Sequence, residues 1–304
     1  MLRNLGHLVK SLKIIEKPIL YTTPFWRVTI SSNMSKWSVP ISVEARTGAG
    51  AGETLSDFNE LAMRMKRDDE SNKNNLPFIN RICSDPLTRE DPTKDTEFYE
   101  YPRFVTHIDD TAIESLRSFY KSHLKDDSTV IDLCSSWISH LPPEKKFVKV
   151  IGIGMNEKEL KANKRLDEIY VHDLNDLSQR ENLLPMLDTE SVDHVICAVS
   201  IDYLIQPFVL FQDILRILKP SCGSTFIISF SNRCFPTKAV RSWLKTDDTG
   251  RIGIVCSYFE ETNTFSERRW KNIRVYDLSH DARDGSPPSS VYSDPLFVVM
   301  GEKE

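Results

Sequence analysis

The sequence predicts a doubly wound α/β domain, and three observations carry that reading. From about residue 99 onward, short apolar runs alternate with segments of helical periodicity, as parallel βαβ units do. One unit is sharply drawn: Leu210 to Leu218 is amphipathic, Lys219-Pro220 ends it, Ser221-Cys222-Gly223 turns the chain, and Thr225–Phe230 follows as a buried strand. The 304 residues are 40% hydrophobic and 10% aromatic, enough for one large core.

The N-terminus differs from the rest. Residues 1–43 hold Arg3, Lys10, Lys13, Lys17, Arg27 and Lys36 against the single acid Glu16. Leu2, Leu5, Val9 and Leu12 share one helical face, which Pro18 would end. This is the profile of a mitochondrial transit peptide, with a lightly basic tail as the plain alternative and Met34 as a second start. The expected location is cytoplasmic or mitochondrial. Residues 44–56, with Gly48, Gly50 and Gly52, read as a linker, so 1–56 form a basic, flexible segment. Residues 57–98 read as a polar extension: a short helix over 56–66, then loops marked by Asp85-Pro86 and Asp91-Pro92. The folded domain is 99–304.

Within it, Thr111-Ala112-Ile113-Glu114 predicts a capping box opening a helix that carries Ile113, Leu116, Tyr120 and Leu124. Strands are predicted at Thr129–Leu133, Phe147–Ile153, Ile169–His172 and Val192–Val199. Pro207 near N1 opens the next helix, with Phe208, Phe211, Leu215 and Leu218 inward. After Thr225–Phe230, Pro236 starts a helix through Val240, Trp243 and Leu244 that Gly250 closes. Ile252–Phe259 and Leu296–Met300 complete seven strands, and 279–294 reads as a surface loop.

A net charge of −5 provides no global basic field for nucleic acid. The six cysteines show no CxxC pair and no His/Cys metal spacing, so no metal is expected and a reducing compartment is. No apolar run approaches the roughly 20 residues of a membrane helix.

The helix, Lys-Pro, turn and strand of residues 210–230 resemble the fourth helix and fifth strand of class I S-adenosylmethionine-dependent methyltransferases. The resemblance spans about residues 99–300 and is more specific in its second half. It implies a Rossmann-like, mostly parallel seven-stranded sheet with helices on both faces and an antiparallel last hairpin. It also implies S-adenosylmethionine as cofactor, held at the carboxyl ends of the strands.

Carried over residue by residue, the first loop is Asp132 with Cys134, Ser135 and Ser136, where the family has a Gly-x-Gly turn. The second is Gly154, Met155 and Asn156; Gly154 stands where an acid usually accepts the ribose hydroxyls. Asn156 is the neutral substitute, Glu157 its rival, and an N-cap the plain role for Asn156. Asp173 and Leu174 resemble the adenine corner, and Ala198, Val199 and Ser200 the cofactor floor. Candidate catalytic residues are His107, Asp109 and Tyr203. Candidate substrate contacts are His140, Asn232 and Arg233, the last able to pair an anion.

The implied activity is methyl transfer to an unidentified acceptor, with a small molecule favoured. No Asn-Pro-Pro-Tyr-type clamp follows the fourth strand. The missing glycines and missing acid motivate the alternative: a non-catalytic binding or scaffold protein of the same fold. A nicotinamide-dependent oxidoreductase would need a Gly-rich turn after the first strand, which this chain lacks. Oligomeric state is left open.

Overall fold

A computed structural model describes residues 25–29, 41–46, 78–176, 178, 183–220, 223–279 and 293–304. The expectations for a transit peptide, the Gly-rich linker and a helix at 56–66 fall largely outside these residues.

Among the described residues, nine strands form one sheet: β1 (Phe25–Thr29), β2 (Ile41–Arg46), β3 (Thr129–Leu133), β4 (Lys149–Gly154), β5 (Glu168–Val171), β6 (His194–Ala198), β7 (Thr225–Phe230), β8 (Trp270–Asp277) and β9 (Phe297–Lys303). Their spatial order is β1-β2-β8-β9-β7-β6-β3-β4-β5. Strands β3 to β7 run parallel, and β9 lies antiparallel between β7 and β8. Those seven are the expected sheet; β1 and β2 extend it beyond β8.

The sheet is apolar on both faces because both are covered. Along β3, Val130 faces one core cluster while Ile131 and Leu133 face the other; Ile196 and Ile227 are likewise opposed to Val195, Cys197, Phe226 and Ile228. In chain order the helices are α1 (Phe78–Ile82), α2 (Asp95–Phe98), α3 (Asp110–His123), α4 (Glu157–Ala162), α5 (Pro207–Ile217), α6 (Arg241–Leu244) and α7 (Asp248–Phe265). Helix α3 packs Ile113, Leu116, Phe119 and Tyr120 into the first cluster. Helices α5 and α7 cover the second, where Phe211 meets Phe226 and Phe259 edge-on.

Three local expectations are corrected. Helix α3 is capped not by Thr111 but by Asp109, whose carboxylate accepts the Ala112 amide at 2.8 Å. A charged oxygen already at the helix start takes that position, and Glu114 instead pairs with Arg117. Ile252–Phe259 is not a strand but part of helix α7, in which Gly250 receives the cap of Asp247 rather than ending the preceding helix. Twelve of its residues are buried, so its sequence shows no polar face. The sixth strand of the expected seven is β8, next to the hairpin partner β9.

Candidate functional site

The chain leaves β3 for β4 and β5 on one side, then crosses to β6 and β7 on the other. The carboxyl ends of β3 and β6 therefore diverge, and a cleft opens there. Asp132, Cys134, Ser135, Ser136, Gly154, Met155, Asn156, Asp173, Leu174, Ala198, Val199 and Ser200 all line it. Four loops separate in sequence thus meet in one space.

After β3, Asp132 is buried, and its carboxylate accepts the Ser135 hydroxyl at 2.7 Å. Burial pushes its pKa up to about 6, against hydrogen bonds from Ser139 and Ser135 that pull it down. Cys134 has φ 54°, the left-handed conformation that glycine would adopt without strain. The Ser135 amide donates to Ile153 O at 2.8 Å, drawing the turn onto β4.

After β4, Asn156 has the role of helix cap. Its Oδ1 accepts the Lys158 and Glu159 amides at 3.0 and 3.3 Å. Its Nδ2 donates to Tyr99 O and Glu100 O at 2.9 and 3.0 Å, so both amide protons are in use. Glu157 pairs with Lys161 and does not line the cleft.

After β5, Asp173 is half-buried, and burial raises its pKa. One of its oxygens accepts the Asn175 amide at 2.8 Å. The Leu174 amide has no partner among the described residues. After β6, Val199 takes φ 44°, and its amide donates to Ser229 O at 2.8 Å. A 3-10 turn, Ile201–Tyr203, then carries Tyr203 to the cleft.

Parallel β3 to β7, antiparallel β9 inserted beside β7, and a cleft at the crossover settle the architecture. The chain has the class I methyltransferase fold.

What sequence reading missed is how the cover of this methyltransferase fold is held. Residues 89–107 cross the carboxyl edge of the sheet as a strap. Asp95, 4% exposed, meets Arg89 at 2.9 Å and accepts from Asn175 Nδ2 at 2.8 Å. Lys238, 0% exposed, donates to Thr93 O at 2.7 Å and reaches Asp91 and Asp95 at 3.2 and 3.4 Å. Further along, Asn156 holds Tyr99 and Glu100, and Trp137 Nε1 donates to Val105 O at 3.0 Å. Asp95, Tyr99, Arg103, Val105, Thr106 and His107 line the cleft from above. The two Asp-Pro steps had marked this stretch as loop; no local pattern announces its long-range partners.

The acceptor-side candidates divide. His107, His140 and Tyr203 line the cleft, together with Phe235. His140 is buried at φ 51°, with Nδ1 unbonded among the described residues. Burial, then Arg117 and His107, lowers its pKa to about 4. Burial also lowers that of His107. The Tyr203 hydroxyl accepts the Phe235 amide at 2.8 Å, and burial drives its pKa up. Asp109, Asn232 and Arg233 do not line the cleft. Asp109 is spent on the α3 cap and on Ser293 and Asp294. Arg233 Nε donates to Asp294 at 2.8 Å on the surface, and Asn232 is exposed.

No protein-family model matches the chain, and neither does any curated protein. Solved structures with a similar layout include an S-adenosylmethionine-dependent methyltransferase of Leishmania major (TM-score 0.43, 11% identity, 74% of this chain and 83% of that one). Others come from Archaeoglobus fulgidus (TM-score 0.42, 12% identity, 70% and 100%) and Mesorhizobium loti (TM-score 0.41, 14% identity, 62% and 98%). Among the described residues, no helix is long and apolar enough to cross a membrane.

Proposed function

We propose that the protein transfers the methyl group of S-adenosylmethionine to a small-molecule acceptor. The observation that carries this is the convergence of the four strand-end loops on one cleft at the crossover of the sheet.

The residues present fit the cofactor at its adenine end. Asp173 keeps a carboxylate oxygen to accept the adenine amino group, and the unpartnered Leu174 amide meets a ring nitrogen. They fit the ribose less well, since no carboxylate stands at the end of β4 and Asn156 is spent. When bound, the cofactor supplies a methyl group already activated by its sulfonium. The chain aligns the acceptor beside it, and Tyr99, Arg103 and Phe235 narrow access for water. His107 and His140 accept the proton that an oxygen or nitrogen acceptor gives up.

Calorimetric titration with S-adenosylmethionine and S-adenosylhomocysteine tests the reading, with Asp132→Ala and Asp173→Ala as controls. Micromolar binding, about −8 kcal/mol, that weakens in both variants supports it. A well-folded wild type that binds neither overturns it. That result would favour the non-catalytic reading, which the occupied Asn156 and the carboxylate-free β4 corner already motivate.

A further inference from the structure

Among the described residues, Arg103 is the one arginine lining the cleft, and no lysine lines it. Its guanidinium is fixed without any ligand. It lies 4.5 Å from the Phe98 ring centroid, 5.4 Å from that of Phe235 and 5.5 Å from that of Tyr99. One arm, Nη2, donates to Phe98 O at 2.9 Å. The other, Nη1, is buried and has no acceptor among the described residues. A buried charged donor left unpaired is costly, and the free arm of a guanidinium fork suits a carboxylate.

Beside it stands Glu159. Its Oε1 accepts the backbone amide of Arg103 at 2.6 Å, and its Oε2 accepts the Ser136 hydroxyl at 2.5 Å. A carboxylate offers about four acceptor positions, so this one keeps capacity after two bonds. A cation and an anion therefore sit together at the turn after β3, both lining the cleft.

We propose that Arg103 and Glu159 form a subsite for an α-amino-acid zwitterion, with the carboxylate on Arg103 and the ammonium on Glu159. The inference rests on the cofactor reading above and assigns the subsite to the cofactor's amino-acid end. In a chain without a Gly-x-Gly turn, two side chains, one from the strap and one from α4, take over that end.

The test is calorimetry with S-adenosylhomocysteine, 5′-methylthioadenosine (which lacks the amino-acid end) and free methionine, on wild type, Arg103→Met and Arg103→Lys. Methionine keeps an apolar stem against the rings; circular dichroism checks folding. Wild type is expected to bind S-adenosylhomocysteine at least about tenfold more tightly than 5′-methylthioadenosine. Arg103→Met loses that preference, with 5′-methylthioadenosine binding unchanged, and Arg103→Lys regains part of it. Free methionine binding that depends on Arg103 while the nucleosides share one affinity would move the subsite to a free amino acid and overturn the assignment. A preference that survives Arg103→Met also overturns it. If neither nucleoside binds wild type, the cofactor reading itself fails; if both bind equally, only this inference does.

Discussion

The carbonyl oxygen of Ser135 occupies the place a side chain on residue 154 would need. A Cβ built on Gly154 falls 2.1 Å from that oxygen. Residues 135 and 154 are thus sterically coupled. The first loop leans onto β4, where the Ser135 amide donates to Ile153 O, and β4 ends in a residue without a side chain. Restoring the acid alone does not restore a ribose site.

Gly154→Asp is therefore expected to destabilise the fold by about 1–3 kcal/mol, the range for overpacking a filled site. It should not improve nucleoside binding. Urea unfolding beside calorimetry checks both; tighter binding with unchanged stability would contradict the contact.

Asn156→Ala removes a helix cap and the tie to Tyr99 and Glu100 together. A loss of about 1–2 kcal/mol is expected from the cap alone. Amide hydrogen exchange should quicken over the described strap around residues 99–103 as well as in α4. Exchange rising only in α4 would show that the strap stays in place without this tie.

The ion cluster of Arg89, Asp91, Asp95 and Lys238 fastens the other end of the strap. Removing Lys238 leaves Asp95 with Arg89 as its one cation and the Thr93 carbonyl without its donor, at about 1–3 kcal/mol. Lys238→Met is expected to lose stability on that scale and to expose residues 89–107 to protease. Resistance equal to wild type would mean the strap is held elsewhere.

Stability should fall as pH rises from about 6.5 to 8. Burial raises the pKa values of Asp202 and Glu260 to about 8, so the folded state holds protons that the unfolded state has released. Their contribution is complete at low pH and is lost as pH rises through 8. His140 and His194, depressed to about 4 by burial, act oppositely, but only below their unfolded value near 6.5. Above that value the carboxyls are unopposed by these histidines. Urea midpoints across this range should decline, and Asp202→Asn should flatten the decline; a flat wild-type curve would refute the burial argument.

Local sequence announced what local forces decide. Thr225–Phe230 and the helix from Pro207 are legible because a proline, a Lys-Pro stop and an apolar run each act within a few residues. Strand β8 was hidden by a register shift between Lys271 and Arg274, with Asn272 at φ 49°, which breaks the two-residue alternation. Helix α7 was hidden by burial all round. In the cleft, the strand-end loops could be located by counting strands. The strap could not: Asp95 meets Asn175 across 80 positions and Tyr99 meets Asn156 across 57, and neither pairing leaves a periodic trace.

The strap also imposes an order on folding. Residues 89–107 leave the ribosome before any strand of the parallel sheet they cover. Their anchors come much later: the Asp91 amide donates to Thr237 O at 2.8 Å, Arg89 bridges to Val240, and Lys238 completes the ion cluster. Until the chain has grown past that point, the strap has its ties to Trp137, Asn156 and Asn175 but not these anchors. The end of the strap at residues 89–93 is therefore fastened only after β7 has been made.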